Sequence, residues 1–366
     1  MLTNTLSPLC LGDLVARIPI IQGGMGVGIS LSRLASAVAN EGGIGVIAAA
    51  LIGFTESDCY SNYEEASERA LRKEIQKARA ASKGILGVNI MVALTNYADV
   101  VRTAIDEGID VIFSGAGIPL NLPSFRKPDT KTKLVPIVSS GRAATILCKR
   151  WTEKYNYPPD AIVVEGPQAG GHLGFKLEQI GDEAYALEKL VPEVVEAVRP
   201  FAERAGKPIP VIAAGGIYTG ADIRKYLELG ASGVQMATRF VATHECDASD
   251  SFKQAYLDAK QEDIQIIESP VGMPGRVIRN KFTDSVGRGE KMPLQCAYHC
   301  IITCDYKNSQ YCIAHALTSA QKGNFKSGFP FAGSNVYRVN KIVSVKELID
   351  SLIEEYRDSY MQTAIA

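Results

Sequence analysis

One histidine lies in a glycine-rich segment that could bring its side chain against a ligand. His172 stands within Ala169-Gly-Gly-His-Leu-Gly174. An imidazole exchanges its proton near neutral pH, so at an active site it can act as a general acid or base. The other histidines, His244, His299 and His315, have no comparable setting. The sequence therefore predicts that His172 is catalytic and that the others are structural.

Two other segments have the composition of a phosphate site. Ala214-Gly-Gly-Ile217 and Gln235-Met-Ala-Thr-Arg239 each close a short apolar run. In parallel α/β barrels, backbone N–H groups after the seventh and eighth strands commonly bind phosphate. The sequence therefore predicts a phosphorylated ligand or cofactor at the two glycines and at Thr238. Two alternatives stay open. The two glycines could serve only to let a helix pack closely, and Arg239 could serve only in a structural ion pair.

A further segment, Gln22-Gly-Gly-Met-Gly-Val-Gly28, has four glycines in seven residues. Glycine is favoured where the backbone turns tightly or approaches a ligand closely, although a plain turn is the alternative. The spacing is not G-x-G-x-x-G, and no G-x-x-x-x-G-K-[ST] motif occurs, so neither a Rossmann nor a P-loop site is predicted.

Asn89 ends another apolar run, where its amide could bond to a planar heterocycle or cap a turn. Weaker polar candidates at such ends are Ser114, Ser139 and Ser140.

The elements that must position these residues are short apolar runs that alternate with helical patterns. Strands buried on both faces and separated by helices predict a parallel sheet. The runs begin about 31 residues apart on average, the length of one βα unit. We therefore predict an α/β fold with a (β/α)8 TIM barrel, and an open doubly wound sheet is the alternative. The runs are Ile18–Gln22, Gly45–Ala50, Ile85–Met91, Asp110–Ser114, Val135–Ser139, Ala161–Glu165, Pro210–Ala214 and Gly233–Thr238.

After about residue 240 this alternation stops. We expect a barrel over residues 1–240 and a smaller, mainly helical region over residues 241–366 that packs on the barrel and shapes the substrate pocket. That region has a helical pattern around Asp250–Gln261 and a Gly/Pro-rich segment, Ser269–Arg276. Near the end, Ser344 and Glu347 have the spacing of a capping box before an amphipathic helix. The apolar face of that helix comprises Val345, Leu348, Ile349, Leu352, Ile353 and Tyr356.

Four of the 8 cysteines occur as C-x3-C-x3-C-x7-C, at Cys296, Cys300, Cys304 and Cys312. Converging thiolates suit zinc or an iron–sulfur centre, but this is not the C-x2-C spacing of common zinc modules. Residues four apart share one helix face, so the pattern favours a small apolar stripe of packed thiols. We therefore predict no metal site here, with metal binding and redox pairing as open alternatives.

Composition excludes several classes of protein. With 366 residues, 46% of them hydrophobic, and a net charge of -1, the chain is typical of a globular protein without a field that attracts nucleic acid. The most apolar stretch, Gly42–Phe54, is shorter than the roughly 20 residues of a membrane span. Residues 1–12 lack the basic and apolar parts of a signal peptide. We expect a cytoplasmic protein with no nucleic-acid partner and no membrane span, and a homodimer is compatible with the sequence.

Taken in order, the motifs resemble the nitronate monooxygenase (2-nitropropane dioxygenase) family, which includes the flavin-dependent enoyl-acyl-carrier-protein reductases. The resemblance runs from Ile18 to about Asn280, and Ser269–Arg276 resembles the family's loop after the barrel. Many members have an acid where this chain has Gln168, whereas the acid here is Glu165. The strongest motifs are Gln22-Gly-Gly-Met-Gly26, Gly87-Val-Asn89, Ala169-Gly-Gly-His-Leu-Gly174, Ala214-Gly-Gly-Ile217 and Gln235-Met-Ala-Thr-Arg-Phe240.

The resemblance implies an FMN-binding barrel with His172 over the reactive face of the flavin. It implies that the FMN phosphate lies at Gly215, Gly216, Met236, Ala237 and Thr238. It implies that Gly24, Met25, Asn89 and Gly171 lie along the isoalloxazine ring and the ribityl chain. The other expected cofactor-binding residues are Gly23, Glu165, Gly170, Ala214 and Gln235.

The resemblance leaves the reaction open between two oxidoreductase hypotheses. In the first, His172 positions or deprotonates an alkyl nitronate substrate, and O2 takes the electrons from the flavin. In the alternative, NAD(P)H reduces the flavin, which then reduces an enoyl thioester or a quinone while His172 donates a hydrogen bond or a proton. A third hypothesis is a non-redox barrel that binds a phosphorylated metabolite.

Overall fold

The structure, a computed structural model, describes residues 6–292, 296 and 298–363. This part of the chain contains thirteen strands and eleven α-helices. The strands are β1 (Leu9–Leu11), β2 (Leu14–Ala16), β3 (Ile20–Gln22), β4 (Ile44–Ala48), β5 (Ile85–Met91), β6 (Val111–Gly115), β7 (Lys133–Val138), β8 (Ile162–Glu165), β9 (Gly171–His172), β10 (Val211–Ala214), β11 (Gly233–Met236), β12 (Ile264–Glu268) and β13 (Pro274–Ile278). The helices are α1 (Ser32–Asn40), α2 (Tyr63–Ala81), α3 (Tyr97–Asp106), α4 (Gly141–Tyr155), α5 (Leu187–Ala205), α6 (Gly220–Glu228), α7 (Thr238–Val241), α8 (Asp250–Asp258), α9 (Lys281–Gly287), α10 (Ile313–Gln321) and α11 (Val345–Thr363).

Eight parallel strands close into a barrel in the order β10–β11–β3–β4–β5–β6–β7–β8. The barrel closes where β8 pairs with β10, in the register Ala214 to Glu165. The predicted TIM barrel is therefore confirmed, and the open doubly wound sheet is wrong. Each predicted run contains most of one barrel strand, and the bounds of β5 are those predicted.

Alternate side chains of the barrel strands fill its interior. Ile21, Val46, Phe113 and Ile212 belong to one buried apolar cluster. The β1–β2 hairpin adds its own buried leucines to the same cluster, and it lies against the beginnings of β7 and β11. The N-terminal end of the barrel is therefore covered, which leaves the C-terminal ends of the strands for a site.

The region after the barrel contains a small sheet as well as helices. Strands β12 and β13 form an antiparallel hairpin, and β13 also pairs with β9, in the register Gly275 to His172. The Gly/Pro-rich segment that begins at Ser269 forms the turn of this hairpin. The sequence did not predict these strands. The division of the chain at residue 240 stays a prediction.

The C-terminal helix α11 packs on the barrel helix α6. Its capping box is formed, because Ser344 Oγ accepts from the N–H of Glu347 while the Glu347 carboxylate accepts from the N–H of Ser344. Leu348, Ile349 and Leu352 of its apolar face are buried. The helices approach so closely that a Cβ on Gly220 would lie 2.1 Å from the backbone nitrogen of Tyr356.

The predicted helical stripe of cysteines is wrong. Residues 298–312 form turns and short bridges, and α10 begins only after Cys312. The loop's backbone instead bonds to the barrel, because the N–H of Thr95 donates to the carbonyl of Cys300 and the N–H of Ile302 donates to that of Ala93. These contacts replace the i to i−4 hydrogen bonds that a helix would need.

Candidate active site

A cavity of about 640 Å³ lies between the C-terminal ends of the barrel strands and the region after the barrel. This volume is within the range of small-molecule and cofactor sites. Every predicted site residue lines it, although their individual roles stay predictions. They are Gly23, Gly24, Met25, Asn89, Glu165, Gly170, Gly171, His172, Ala214, Gly215, Gly216, Gln235, Met236, Ala237 and Thr238.

The ends of β10 and β11 form a cradle of backbone groups. Gly215 and Gly216 have φ angles of +93° and +83°, which place them in the left-handed region that favours glycine. The N–H groups of Gly216 and Thr238 donate to no protein acceptor among the residues described. Orphan N–H groups at adjacent strand ends form an anion site, so the residues present fit a phosphate group.

Two amide side chains border the glycine-rich segment after β3. Gln22 is buried, where it accepts from the N–H of Val46 at 3.0 Å and donates to the carbonyl of Gly23 at 2.5 Å. These bonds hold the segment in place. The amide of Asn89 makes no side-chain hydrogen bond within the described part of the chain, so it is available to a ligand and caps no turn there. Of the weaker candidates, Ser139 and Ser140 line the cavity, whereas Ser114 is buried and bonded to Tyr97.

His172 lies on β9, where the barrel meets the region after it. Its Nε2 is 2.7 Å from Ser269 Oγ, and its ring packs edge-on against Phe331 with the centroids 4.9 Å apart. Burial lowers the pKa of His172 to about 4, because the low-dielectric surroundings disfavour the imidazolium. The imidazole is therefore neutral at pH 7 and can accept a proton.

The loop that carries His172 is fixed from the other side by a buried arginine. Arg276, on β13, donates to the carbonyls of Pro167 and Ala169 at 2.7 and 2.6 Å. Burial lowers the pKa of this guanidinium to about 10. Arg239, whose role the sequence left open, forms an ion pair with Glu355 at 3.1 Å and does not line the cavity.

Glu165 is the carboxyl group of the cavity wall. It ends β8, and burial raises its pKa to about 7 because no cation lies close enough to offset the desolvation of the carboxylate. The described lining residues include no lysine or arginine. The cavity therefore offers an anionic substrate no opposite side-chain charge.

Sequence reasoning missed the residues that close the cavity from the C-terminal side. Ser269 lies in the segment that resembles the family's loop after the barrel, but only the folded hairpin places it against His172. Tyr256 donates from its hydroxyl to the carbonyl of Phe331 at 2.5 Å and so holds that residue in the wall. Nothing in the local pattern distinguishes these residues from core residues. The other lining residues of the region after the barrel are Phe252, Met273, Ile301, Ile313, Leu317, Ala332, Gly333, Ser334 and Asn335.

Among the described residues no helix is long and apolar enough to cross a membrane.

Comparison with known proteins identifies the family. A dehydrogenase from Mycobacterium tuberculosis, named for a methyl-oxo-octahydroindene carboxyl-CoA, is 31% identical over 273 residues. The match covers 75% of this chain and 66% of that relative, so the chain spans slightly less than two thirds of its length. A probable nitronate monooxygenase from Bacillus subtilis is 26% identical, over 92% of this chain and 95% of the relative.

The solved structure of FabK from Thermotoga maritima superposes with a TM-score of 0.72 at 26% identity and covers 94% of both chains. The model of the nitronate monooxygenase family matches residues 10–355. That match includes both the barrel and most of the region after it. The chain therefore belongs to the nitronate monooxygenase family.

Proposed function

We propose that the protein is a flavin-dependent oxidoreductase, that its flavin is FMN, and that FMN binds in the cavity with its phosphate at the ends of β10 and β11. The orphan N–H groups of Gly216 and Thr238 support this position, because they can donate to phosphate oxygens without a side-chain cation. The amides of Asn89 and Gln235 would then face the polar edge of the flavin ring. When bound, FMN supplies the redox centre that takes electrons from the substrate.

We propose that the enzyme oxidises alkyl nitronates and their parent nitroalkanes, with O2 as the final acceptor. The position of His172 is the observation that carries this proposal, because its imidazole lines the cavity and is held there by Ser269. Burial keeps the imidazole neutral at pH 7, so a ring nitrogen can accept the proton from the carbon next to a nitro group, although the lowered pKa makes it a weaker base than an exposed histidine. The absence of lysine and arginine from the described lining favours an uncharged carbon acid, which acquires its charge only when His172 removes the proton.

Ser269 supports this role by fixing the imidazole. A neutral imidazole has one N–H and one lone pair, and the hydrogen bond between Nε2 and Ser269 Oγ fixes the rotation of the ring whichever of the two atoms donates. Phe331 holds the ring plane from a second direction. Together they would keep the basic nitrogen aimed at the substrate carbon.

A second candidate is redox chemistry on an acyl thioester, with NAD(P)H as a reductant in the reductive direction. The apolar wall of the cavity favours it, because Ile301, Ile313 and Leu317 offer more apolar surface than a small nitronate needs. The relative named as a carboxyl-CoA dehydrogenase and the FabK structure support the same class. A non-redox role is not proposed, because the relatives compared above are named as a dehydrogenase and a probable monooxygenase.

Anaerobic mixing separates the two candidates. The purified flavoprotein is mixed in turn with propionate 3-nitronate, with a neutral nitroalkane, and with NADH or NADPH, while flavin absorbance is recorded. Bleaching by the nitro compounds, faster with the neutral nitroalkane than with the doubly charged nitronate, and recovery on admission of O2 is the expected result. Bleaching by a nicotinamide alone, with recovery on addition of an enoyl thioester, would reject nitronate oxidation in favour of the second candidate.

A further inference from the structure

The segment of residues 333–335, which belongs to the region after the barrel, lies against the ends of β10 and β11. All three of its residues line the cavity. A Cβ on Gly333 would lie 2.7 Å from Thr238 Oγ1, so the backbone of the segment is in close contact with the cradle. The N–H of Ser334 donates to the carbonyl of Gln168 at 3.2 Å, which anchors the segment on the loop after β8. The cradle is therefore bounded on one side by residues that lie outside the barrel.

Asn335 reaches from this segment to the cradle. Its Nδ2 donates to the carbonyl of Gly216 at 2.7 Å. Only the nitrogen of an amide side chain can donate to a carbonyl, so this bond also fixes which way the amide faces. Nδ2 carries two N–H groups, and the second has no acceptor among the residues described. The amide is therefore held beside the cradle with one donor unused.

Other polar groups of the segment also lack partners. The backbone N–H groups of Gly333 and Asn335 donate to no acceptor within the described part of the chain. Ser334 Oγ is buried and has no hydrogen-bond partner there. Buried polar groups are nearly always paired in native proteins, so several unpaired donors that border a cavity indicate a ligand. Together with the N–H groups of Gly216 and Thr238, they suit a group that is rich in acceptor oxygens, such as phosphate.

An uncompensated positive charge lies behind this wall. Tyr218 follows the cradle and lines the cavity. The guanidinium groups of Arg239 and Arg338 lie 5.1 and 4.3 Å from the centre of its ring. Arg239 is paired with Glu355, whereas Arg338 forms no ion pair with any described residue. Neither arginine lines the cavity, so they would act on an anion through their field rather than by contact. Such a field favours a phosphate over an uncharged ligand.

We propose that Asn335 completes the phosphate site by donating its second amide N–H to a phosphate oxygen. This inference rests on the proposed position of the FMN phosphate at the ends of β10 and β11. It assigns one donor of that site to a side chain of the region after the barrel, whereas the donors of the barrel are backbone N–H groups. Riboflavin is FMN without the phosphate, so its affinity should not depend on Asn335. The difference between the two flavins therefore measures this contact.

Binding of FMN and of riboflavin to the whole flavin-free protein tests the inference. Each dissociation constant is measured by quenching of flavin fluorescence. N335D puts a carboxylate beside the phosphate in place of the donor, so the dissociation constant of FMN should rise by about 10- to 100-fold, as for loss of a hydrogen bond to a charged group. That of riboflavin should change by less than about 3-fold. N335A adds no charge and keeps the test valid should N335D fail to fold, and it should weaken FMN binding by about 3- to 10-fold.

N340D is the matched control, because Asn340 is exposed and does not line the cavity. It should leave both dissociation constants unchanged. An N335D variant that keeps the parent's preference for FMN over riboflavin would overturn the inference, and so would an equal loss of affinity for both flavins. A parent that binds the two flavins equally would instead overturn the proposed position of the phosphate, and the inference with it.

Discussion

The barrel side of the cavity is built from backbone, whereas the C-terminal side is built from side chains. At the ends of β10 and β11, glycines and orphan N–H groups form the anion cradle. Across the cavity, Phe331 and Ile301 approach from separate segments, and Ser269 bonds to His172 from a third segment. A binding surface made of backbone groups keeps its shape when neighbouring side chains are substituted. A surface made of converging side chains changes shape with each substitution among them. The barrel side can therefore keep its shape when the C-terminal side changes.

The largest expected effect concerns the proposed role of His172 as the base, since this residue lies where the two sides meet. Replacing His172 with glutamine should lower kcat by about 10²- to 10⁴-fold, because the general base is lost while the ring's volume is largely kept. FMN content should stay unchanged, since the phosphate cradle lies on β10 and β11. Steady-state kinetics and flavin absorbance provide both readouts. A variant with full turnover would show that His172 is not the base.

The next effect tests the barrel side alone. Gly216→Ala should weaken FMN binding by about 10- to 100-fold, because a side chain at φ +83° costs about 1–3 kcal/mol and its Cβ would lie 2.8 Å from Gln168 Cβ. The dissociation constant is measured by quenching of FMN fluorescence.

Gly181→Ala is the control, since a Cβ there meets no atom within 4 Å. Equal FMN affinity in the two variants would contradict a backbone-built phosphate site.

Glu165 and His172 should give opposite pH dependences of stability in the flavin-free protein. The pKa of Glu165 is raised to about 7, so between its ordinary value and 7 the folded state binds more protons, and stability falls as pH rises. The pKa of His172 is lowered to about 4, so stability falls as pH drops from about 6.5 to 4. The stability of E165Q relative to the parent should therefore rise by about 1–3 kcal/mol between about pH 5 and pH 8, whereas that of H172Q should fall.

Urea unfolding at a series of pH values measures both slopes. Parallel slopes for the two variants would mean that the carboxyl and the imidazole are not desolvated as the structure indicates.

The smallest effect tests the C-terminal side. Ser269→Ala removes one hydrogen bond to a neutral ring, so kcat/KM should fall by about 3- to 10-fold. FMN affinity should not change, which distinguishes a positioning role from damage to the fold. Ser61→Ala is the control, because Ser61 is exposed and lies far from Ser269 in the chain. A loss of FMN from the Ser269 variant would contradict the separation of the two sides.

The barrel side could be predicted from the sequence because its signals are local. Glycine pairs and apolar runs occur within a few residues of one another, and the β5 strand has the predicted bounds. The C-terminal side could not, because the contact from Ser269 to His172 spans 97 positions in the chain. The cysteines were misjudged for the same reason: their spacing fits a helix, but the loop's backbone bonds to residues 93–95 instead.

The pairing of β9 with β13 has a consequence for protein engineering. His172, the proposed base, is joined by the backbone of β9 to a segment about a hundred residues later, through Gly275 and Arg276. Grafting a new C-terminal region to change substrate choice would therefore also change the alignment of the base unless those two positions were transplanted with their partners. Chimeras should place their junctions outside residues 264–278 and carry the hairpin as one unit.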